Sequence, residues 1–92
     1  YDEAIADYTE VIADLTEAIR IDPDYARAYS KRGEIYEKQG KLDEAIADYT
    51  EVIRIYPTHE TPYRDRGNAY KKQGNDAKAD ADFAKYKELY FA

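Results

Sequence analysis

The chain has 92 residues, with 14 Lys plus Arg against 20 Asp plus Glu, a net charge of −6, no Cys, Met or Trp, and 11 Tyr against 2 Phe. At this length folding buries only around 60–65 % of the unfolded surface, which argues against a closed active-site cavity and for a binding surface. Lack of cysteine removes disulfides, thiolate chemistry and Cys-type zinc sites, and the acidic total argues against wholesale binding of nucleic acid or an anionic membrane.

The first expected element is a helix over 2–21. Tyr1, Ile5, Tyr8, Ile12, Leu15 and Ile19 alternate at spacings of 4 and 3, with Ala4, Val11 and Ala18 widening the stripe, so the helix carries a three-heptad apolar seam. Pro23 stops it. A second helix, 25–39, ends at Gly40 in the left-handed conformation, and a third, 42–55, stops ahead of Pro57. Thr61 reads as the N-cap of a fourth helix, 61–73, with Pro62 at its first position, where a missing N–H does no harm. Gly74 ends that helix, and Asn75 is a natural N-cap for a fifth over 76–90. No segment alternates with period 2 long enough for a strand, and the short connections make consecutive helices antiparallel neighbours. No apolar run approaches the roughly 20 residues of a membrane span, so a soluble chain, most naturally cytoplasmic, is expected. A start at Tyr1 inside a helical pattern suggests a fragment or processed chain.

The sequence repeats itself. Residues 26–57 align with 60–91 at an offset of 34, pairing Tyr29/Tyr63, Arg32/Arg66, Gly33/Gly67, Tyr36/Tyr70, Lys38/Lys72, Gln39/Gln73, Gly40/Gly74, Ala45/Ala79, Ala47/Ala81, Asp48/Asp82 and Tyr56/Tyr90. The run DEAIADYTEVI at 2–12 recurs unchanged at 43–53, an offset of 41. The extra seven residues are visible as a duplicated heptad, ADYTEVI followed by ADLTEAI.

Tyr29, Gly33, Tyr36, Ala45, Tyr49, Val52 and Pro57, spaced over a 34-residue helix-turn-helix unit, resemble the tetratricopeptide repeat (TPR). Tyr63, Gly67, Tyr70, Ala79, Phe83 and Tyr86 supply a second unit, in which Phe91 stands where proline is expected. Residues 1–25 resemble only the extended second helix of a repeat, followed by full repeats at 26–59 and 60–92. The resemblance implies an all-α antiparallel helix-turn-helix array, an α-solenoid of about two and a half repeats. Gly33 and Gly67, with Ala45 and Ala79, would let paired helices approach closely, while Tyr36, Tyr49 and Phe83 fill the wider gaps.

In such arrays the first helix of each repeat lines the concave side, so function is expected there. Segments 26–40 and 60–74 each carry a net +2, against −10 on the remainder, with the N-terminal helix alone at −5. A basic concave face would attract acidic or C-terminal-carboxylate peptides. The resemblance maps the peptide-facing positions onto Arg27, Ser30, Lys31, Glu34 and Lys38, and onto Thr61, Arg64, Asp65, Asn68 and Lys72. Arg64 with Asn68, and Arg27 with Lys31, match pairs from the terminal-carboxylate clamp of chaperone-binding members. Here the order is reversed and the middle Asn is replaced by Lys31 or Asp65, so only generic acidic-peptide recognition is implied.

The added heptad lengthens the first helix by roughly 10 Å with about 20° of drift. That length overshoots the following helix and finds no partner within the chain. A second copy covering the Tyr1, Ile5, Tyr8, Ile12, Leu15 and Ile19 stripe, as a homodimer, is one expectation; a truncated array is the other. A self-assembly element is thus the alternative to a peptide-binding module. Tyr86, Leu89, Tyr90 and Phe91 make a second unpaired face.

Catalytic and metal constellations are missing from the sequence. His59 is the single histidine and lies in a loop, and the pairs Asp22/Asp24 and Asp80/Asp82 lack the glycine and final glutamate of a calcium loop. No phosphate-binding loop or nucleophile elbow occurs. A non-enzymatic chain without cofactor is expected.

Overall fold

A computed structural model describes residues 2–92, with side chains from Tyr8 onward. Tyr1 and the Ile5 side chain, both on the expected seam, lie outside the described residues. The chain forms α1 (Asp2–Ile21), α2 (Ala26–Lys38), α3 (Leu42–Ile55), α4 (Thr61–Lys72) and α5 (Asp76–Tyr90). Among the described residues there is no strand.

Helix ends follow from a few residues. Gly40 (φ 77°) and Gly74 (φ 81°) adopt the left-handed conformation. The next amides close the same ring in both repeats: Lys41 N–H donates to the Tyr36 carbonyl at 2.8 Å and Asn75 N–H to Tyr70 at 2.9 Å, which satisfies carbonyls left open at the helix ends. Asn75 then caps α5, its side-chain oxygen accepting from Lys78 N–H at 3.3 Å. Asn75→Ala is expected to cost about 1 kcal/mol, read as a lower urea midpoint. Thr61 is not the cap of α4. Glu60 holds that place with nearly helical φ −74° and ψ −38°, and its carbonyl accepts from both Tyr63 and Arg64 N–H, so the helix is already wound at Thr61.

Each helix packs against its chain neighbours, α1 on α2, α2 on α3, α3 on α4 and α4 on α5. The result is a slab of 39 × 29 × 17 Å, with a core one side chain thick. Small residues set the spacing: Ala45, Ala69 and Ala79 are fully buried. A Cβ on Gly33 would lie 2.8 Å from the Tyr49 ring, and one on Gly67 2.7 Å from Phe83, so each glycine is the seat of an aromatic ring from the second helix.

The tyrosine hydroxyls mend the loops. Tyr29 Oη donates to the Pro23 carbonyl at 3.0 Å and Tyr63 Oη to Pro57 at 2.8 Å, tying the first helix of each repeat to the turn before it. Those carbonyls belong to the prolines just beyond the ends of α1 and α3, so the loop gains a partner where the helix could not supply one.

One polar device recurs in both repeats. Arg32 of α2 donates to both Asp48 carboxylate oxygens on α3, at 2.8 and 2.7 Å, and to Thr16 Oγ1 on α1 at 3.1 Å. Arg66 repeats this with Asp82 on α5 at 2.8 and 2.7 Å and Thr50 on α3 at 3.3 Å. Each guanidinium also lies within 6.0 Å of two tyrosine rings, Tyr29 and Tyr36 or Tyr63 and Tyr70. One arginine therefore joins three consecutive helices. α3 is held on opposite sides, by Asp48 towards α2 and by Thr50 towards α4.

Candidate functional site

The first helices, α2 and α4, line a run of hollows that share residues and form one open groove. Its first part, about 810 Å³, lies at the helix starts between Arg27, Ser30, Asp65, Tyr25, Tyr56 and His59. Tyr25 and Tyr56 are about half exposed there, available to an incoming apolar group. The second part, about 410 Å³, is walled by Lys31, Glu34 and Lys38 from α2 and Asp65, Asn68 and Lys72 from α4, with Glu37 and Tyr49 beside them. The third, bounded by Glu37, Asn68, Lys71 and Lys72, runs to the helix ends.

Nine of the ten sequence-derived groove residues thus come together. Arg64 does not join them: its guanidinium stands 5.9 Å from the Tyr86 ring and 3.5 Å from the Asp65 carboxylate. Thr61 lines the first hollow. Glu37 and Tyr49 were missed by sequence reasoning. Tyr49 comes from the second helix of its repeat, and its hydroxyl donates to Glu37 at 2.9 Å, while Lys72 donates to the other Glu37 oxygen. Burial, then the Glu37 contact, pushes the Tyr49 hydroxyl far above its ordinary pKa, so it stays a donor across the accessible range. A signal existed, since Tyr49 is the position opposite Gly33 in the repeat.

The charge of the groove differs from expectation. Arg32 and Arg66 were counted on the concave face but are consumed by Asp48 and Asp82, with side chains only 17 and 19 % exposed. Removing those two cations from the expected +4 leaves +2 on the two helices. Within the second hollow, Lys31, Lys38 and Lys72 balance Glu34, Glu37 and Asp65. The surface is therefore mixed, with Arg27, Lys31 and Lys38 making no ion pair among the described residues.

Asp65 reports the strain of this arrangement. Burial raises its pKa, Arg64 pulls it back in part, and Glu34 and Glu37 push it up further. A raised carboxyl favours the fold while protonated, below its ordinary value of 3.8, and that contribution is lost as pH rises through the folded pKa. At neutral pH the charged Asp65 is thus a liability. Asp65→Asn is expected to stabilise the chain at pH 7 by up to about 0.5 kcal/mol, a small figure because solvent screens the partly open carboxylate. Urea midpoints measured at pH 7 and pH 3 should show the gain at the first and not at the second.

The long helix meets α2 along one side only. Thr16 receives Arg32, and the Tyr8 ring lies 5.9 Å from Lys38 Nζ at the far end of α2. Tyr8, Ile12, Leu15 and Ile19 are half-buried rather than bare, whereas Val11 remains 40 % exposed. The seam is therefore covered in part from within the chain. At the other end Tyr86 stacks on Tyr90 and Tyr90 meets Phe91 edge-on, with Tyr90 and Phe91 largely exposed.

Paired antiparallel helices stacked in register, each pair offering its first helix to an open groove, define an α-solenoid interaction module. Two family profiles match, Tetratricopeptide repeat over residues 26–59 and TPR repeat over residues 1–40. The chain belongs to the tetratricopeptide repeat family, whose members are generally non-enzymatic protein-interaction modules. Among solved structures, a crystal structure of MamA superposes with a TM-score of 0.89 at 32 % identity, covering 97 % of this chain and 52 % of MamA. A second MamA structure gives 0.88 at 33 % identity, covering 96 % and 48 %. The second TPR of Spaghetti (RPAP3), bound to the HSP90 peptide SRMEEVD, gives 0.83 at 28 % identity, covering 89 % of this chain and 76 % of that one. The chain spans about half the length of these MamA chains. A search among curated proteins finds no match. Among the described residues no helix is long and apolar enough to cross a membrane, and no acidic, His or Cys cluster could hold a metal ion.

Proposed function

We propose that this chain holds an extended peptide segment of a partner protein along the α2–α4 groove, with spaced carboxylates and an apolar side chain as its anchors. The observation that carries this reading is that Arg27, Lys31 and Lys38 face the groove with no ion pair among the described residues. A carboxylate arriving there makes charge-assisted hydrogen bonds without first breaking an internal pair. Asn68, with both a donor and an acceptor, suits the peptide backbone. Tyr25 and Tyr56 in the first hollow suit an apolar residue. The acidic strip of Glu34, Glu37 and Asp65 repels a uniformly acidic segment, so the carboxylates belong at intervals. The heptapeptide SRMEEVD held by the RPAP3 domain combines Met and Val with acidic residues, which supports the same chemical class here.

Fluorescence anisotropy with labelled SRMEEVD and its neutral analogue SRMQQVN tests this. The first should bind saturably and the second markedly more weakly. Arg27→Glu combined with Lys31→Glu, both exposed, should weaken the acidic peptide about tenfold or more while circular dichroism is unchanged. Equal binding of the two peptides, unchanged binding by the charge-reversed chain, or no saturable binding would contradict the reading.

A further inference from the structure

Cations sit on rings throughout this chain. The Tyr8, Tyr29, Tyr36, Tyr63, Tyr70 and Tyr86 rings each have a lysine or arginine charge within 6.0 Å of the centroid. Of the other described tyrosines, Tyr49 is buried and Tyr90 stacks on Tyr86. That leaves Tyr25 and Tyr56, which are 44 and 50 % exposed, and among the described residues no lysine or arginine charge lies over either. Both line the first hollow, where His59 meets Tyr56 edge-on at 5.3 Å. Asp22 lines it too. The Asp22 carboxylate accepts from Asp24 N–H at 3.1 Å and makes no ion pair among the described residues. The other two carboxylates of the hollow, Asp24 and Asp65, are met by Arg54 and Arg64. Arg27 shares the hollow without pairing with Asp22. The head of the groove thus joins two half-exposed rings to one unpaired carboxylate.

We infer that this hollow is a site for a basic side chain, and that the partner segment carries one arginine or lysine about two to five residues from its carboxylates. The methylene stem lies along Tyr25 and Tyr56, which supply cation–π attraction, and the charged head reaches Asp22. The inference rests on the peptide reading and adds a cation beside the apolar residue already placed there. A hollow of about 810 Å³ has room for both. The spacing comes from α2. Lys31 and Lys38 lie about 6 and 16 Å along the helix axis from Arg27, spans that an extended peptide covers in about two and five residues. Charge therefore changes sign along the groove, from Asp22 at its head to the lysines beyond, and a segment of matching polarity enters in one direction only.

Two heptapeptides that differ only in this cation test the inference, SRMEEVD and SQMEEVD, each labelled at the N-terminus so that the α-amine is removed as a competing charge. By anisotropy with the intact chain, SQMEEVD should bind about fivefold or more weakly than SRMEEVD. Asp22→Asn should weaken SRMEEVD to a similar degree and leave SQMEEVD unchanged, since the two changes remove one interaction. Asparagine keeps the side-chain carbonyl that accepts from Asp24 N–H, so the turn is retained, to be checked by circular dichroism. Tyr25→Leu with Tyr56→Leu, which keeps the apolar wall and removes the ring faces, should also narrow the gap between the peptides. The difference in amide shifts between the two complexes should centre on residues 22–27 and 56–59. Equal saturable binding of both peptides overturns the inference and leaves the groove reading standing. A weaker SQMEEVD that Asp22→Asn weakens equally, or a shift difference centred on Glu34 and Glu37, also overturns it. Absence of binding by both peptides overturns the groove reading and this inference with it.

Discussion

Arg32→Ala is expected to destabilise the chain by about 3–5 kcal/mol, a large share of the roughly 5–15 kcal/mol available to a small domain. The reason is the carboxylate left behind. Asp48 is 3 % exposed and relies on the two guanidinium bonds at 2.8 and 2.7 Å. Without them a buried charge stands unpaired between α2 and α3. The same change releases Thr16, so α1 should lose amide protection before the rest of the chain. Replacing both partners by apolar residues of similar volume, as in Arg32→Met with Asp48→Leu, should recover much of the loss, because no charge is then stranded. Urea midpoints of the two single variants and the double variant measure this. A double variant as unstable as Arg32→Ala alone would show that the pair acts by some means other than desolvation.

Gly33→Ala is expected to cost about 2–3 kcal/mol, although alanine gains roughly 1 kcal/mol of intrinsic helix preference over glycine. The added methyl would stand 2.8 and 3.1 Å from the Tyr49 ring and 3.3 Å from Asp48 Cβ. Tyr49 cannot retreat, being 2 % exposed with its hydroxyl held by Glu37. Gly67→Ala presents a comparable first contact, 2.7 Å to Phe83, but Phe83 is only half-buried and has no hydroxyl to anchor it. Its ring can shift, so Gly67→Ala should cost clearly less than Gly33→Ala. Thermal midpoints of the two variants compare them directly, and equal losses would contradict the anchoring argument.

Much of this architecture is legible in the amino-acid sequence because its signals are local. Gly40, Gly74, Pro23 and Asn75 punctuate the helices through backbone requirements that each residue carries by itself. The period of 34 then fixes which helices pair, and Gly33 with Tyr49 and Gly67 with Phe83 emerge as contacts. The cap of α4 was misjudged by one residue, because nothing local to Thr61 shows that Glu60 is already helical. The groove was less legible. Summed charge over a helix is blind to which side each side chain takes, so Arg32 and Arg66 were counted with the concave face although they bind Asp48 and Asp82 sixteen residues away. Their joint recurrence with the aspartates was visible as repeated identities, yet identity alone does not distinguish a clamp from a solvated charge. The tyrosines hold a similar lesson. Their number and spacing say nothing of where the hydroxyls go, and Tyr29, Tyr63 and Tyr49 place theirs on Pro23, Pro57 and Glu37.

Function depends on which face of the slab meets a partner. Amide chemical-shift mapping of the intact chain with the acidic heptapeptide probe reads that face directly. Perturbations should concentrate on residues 27–38 and 61–72, with Arg27, Lys31, Lys38 and Asn68 among the most affected, while the outward residues of α3 and α5 stay unchanged. Shifts scattered over α3 and α5, or confined to α1, would place recognition elsewhere and contradict the account.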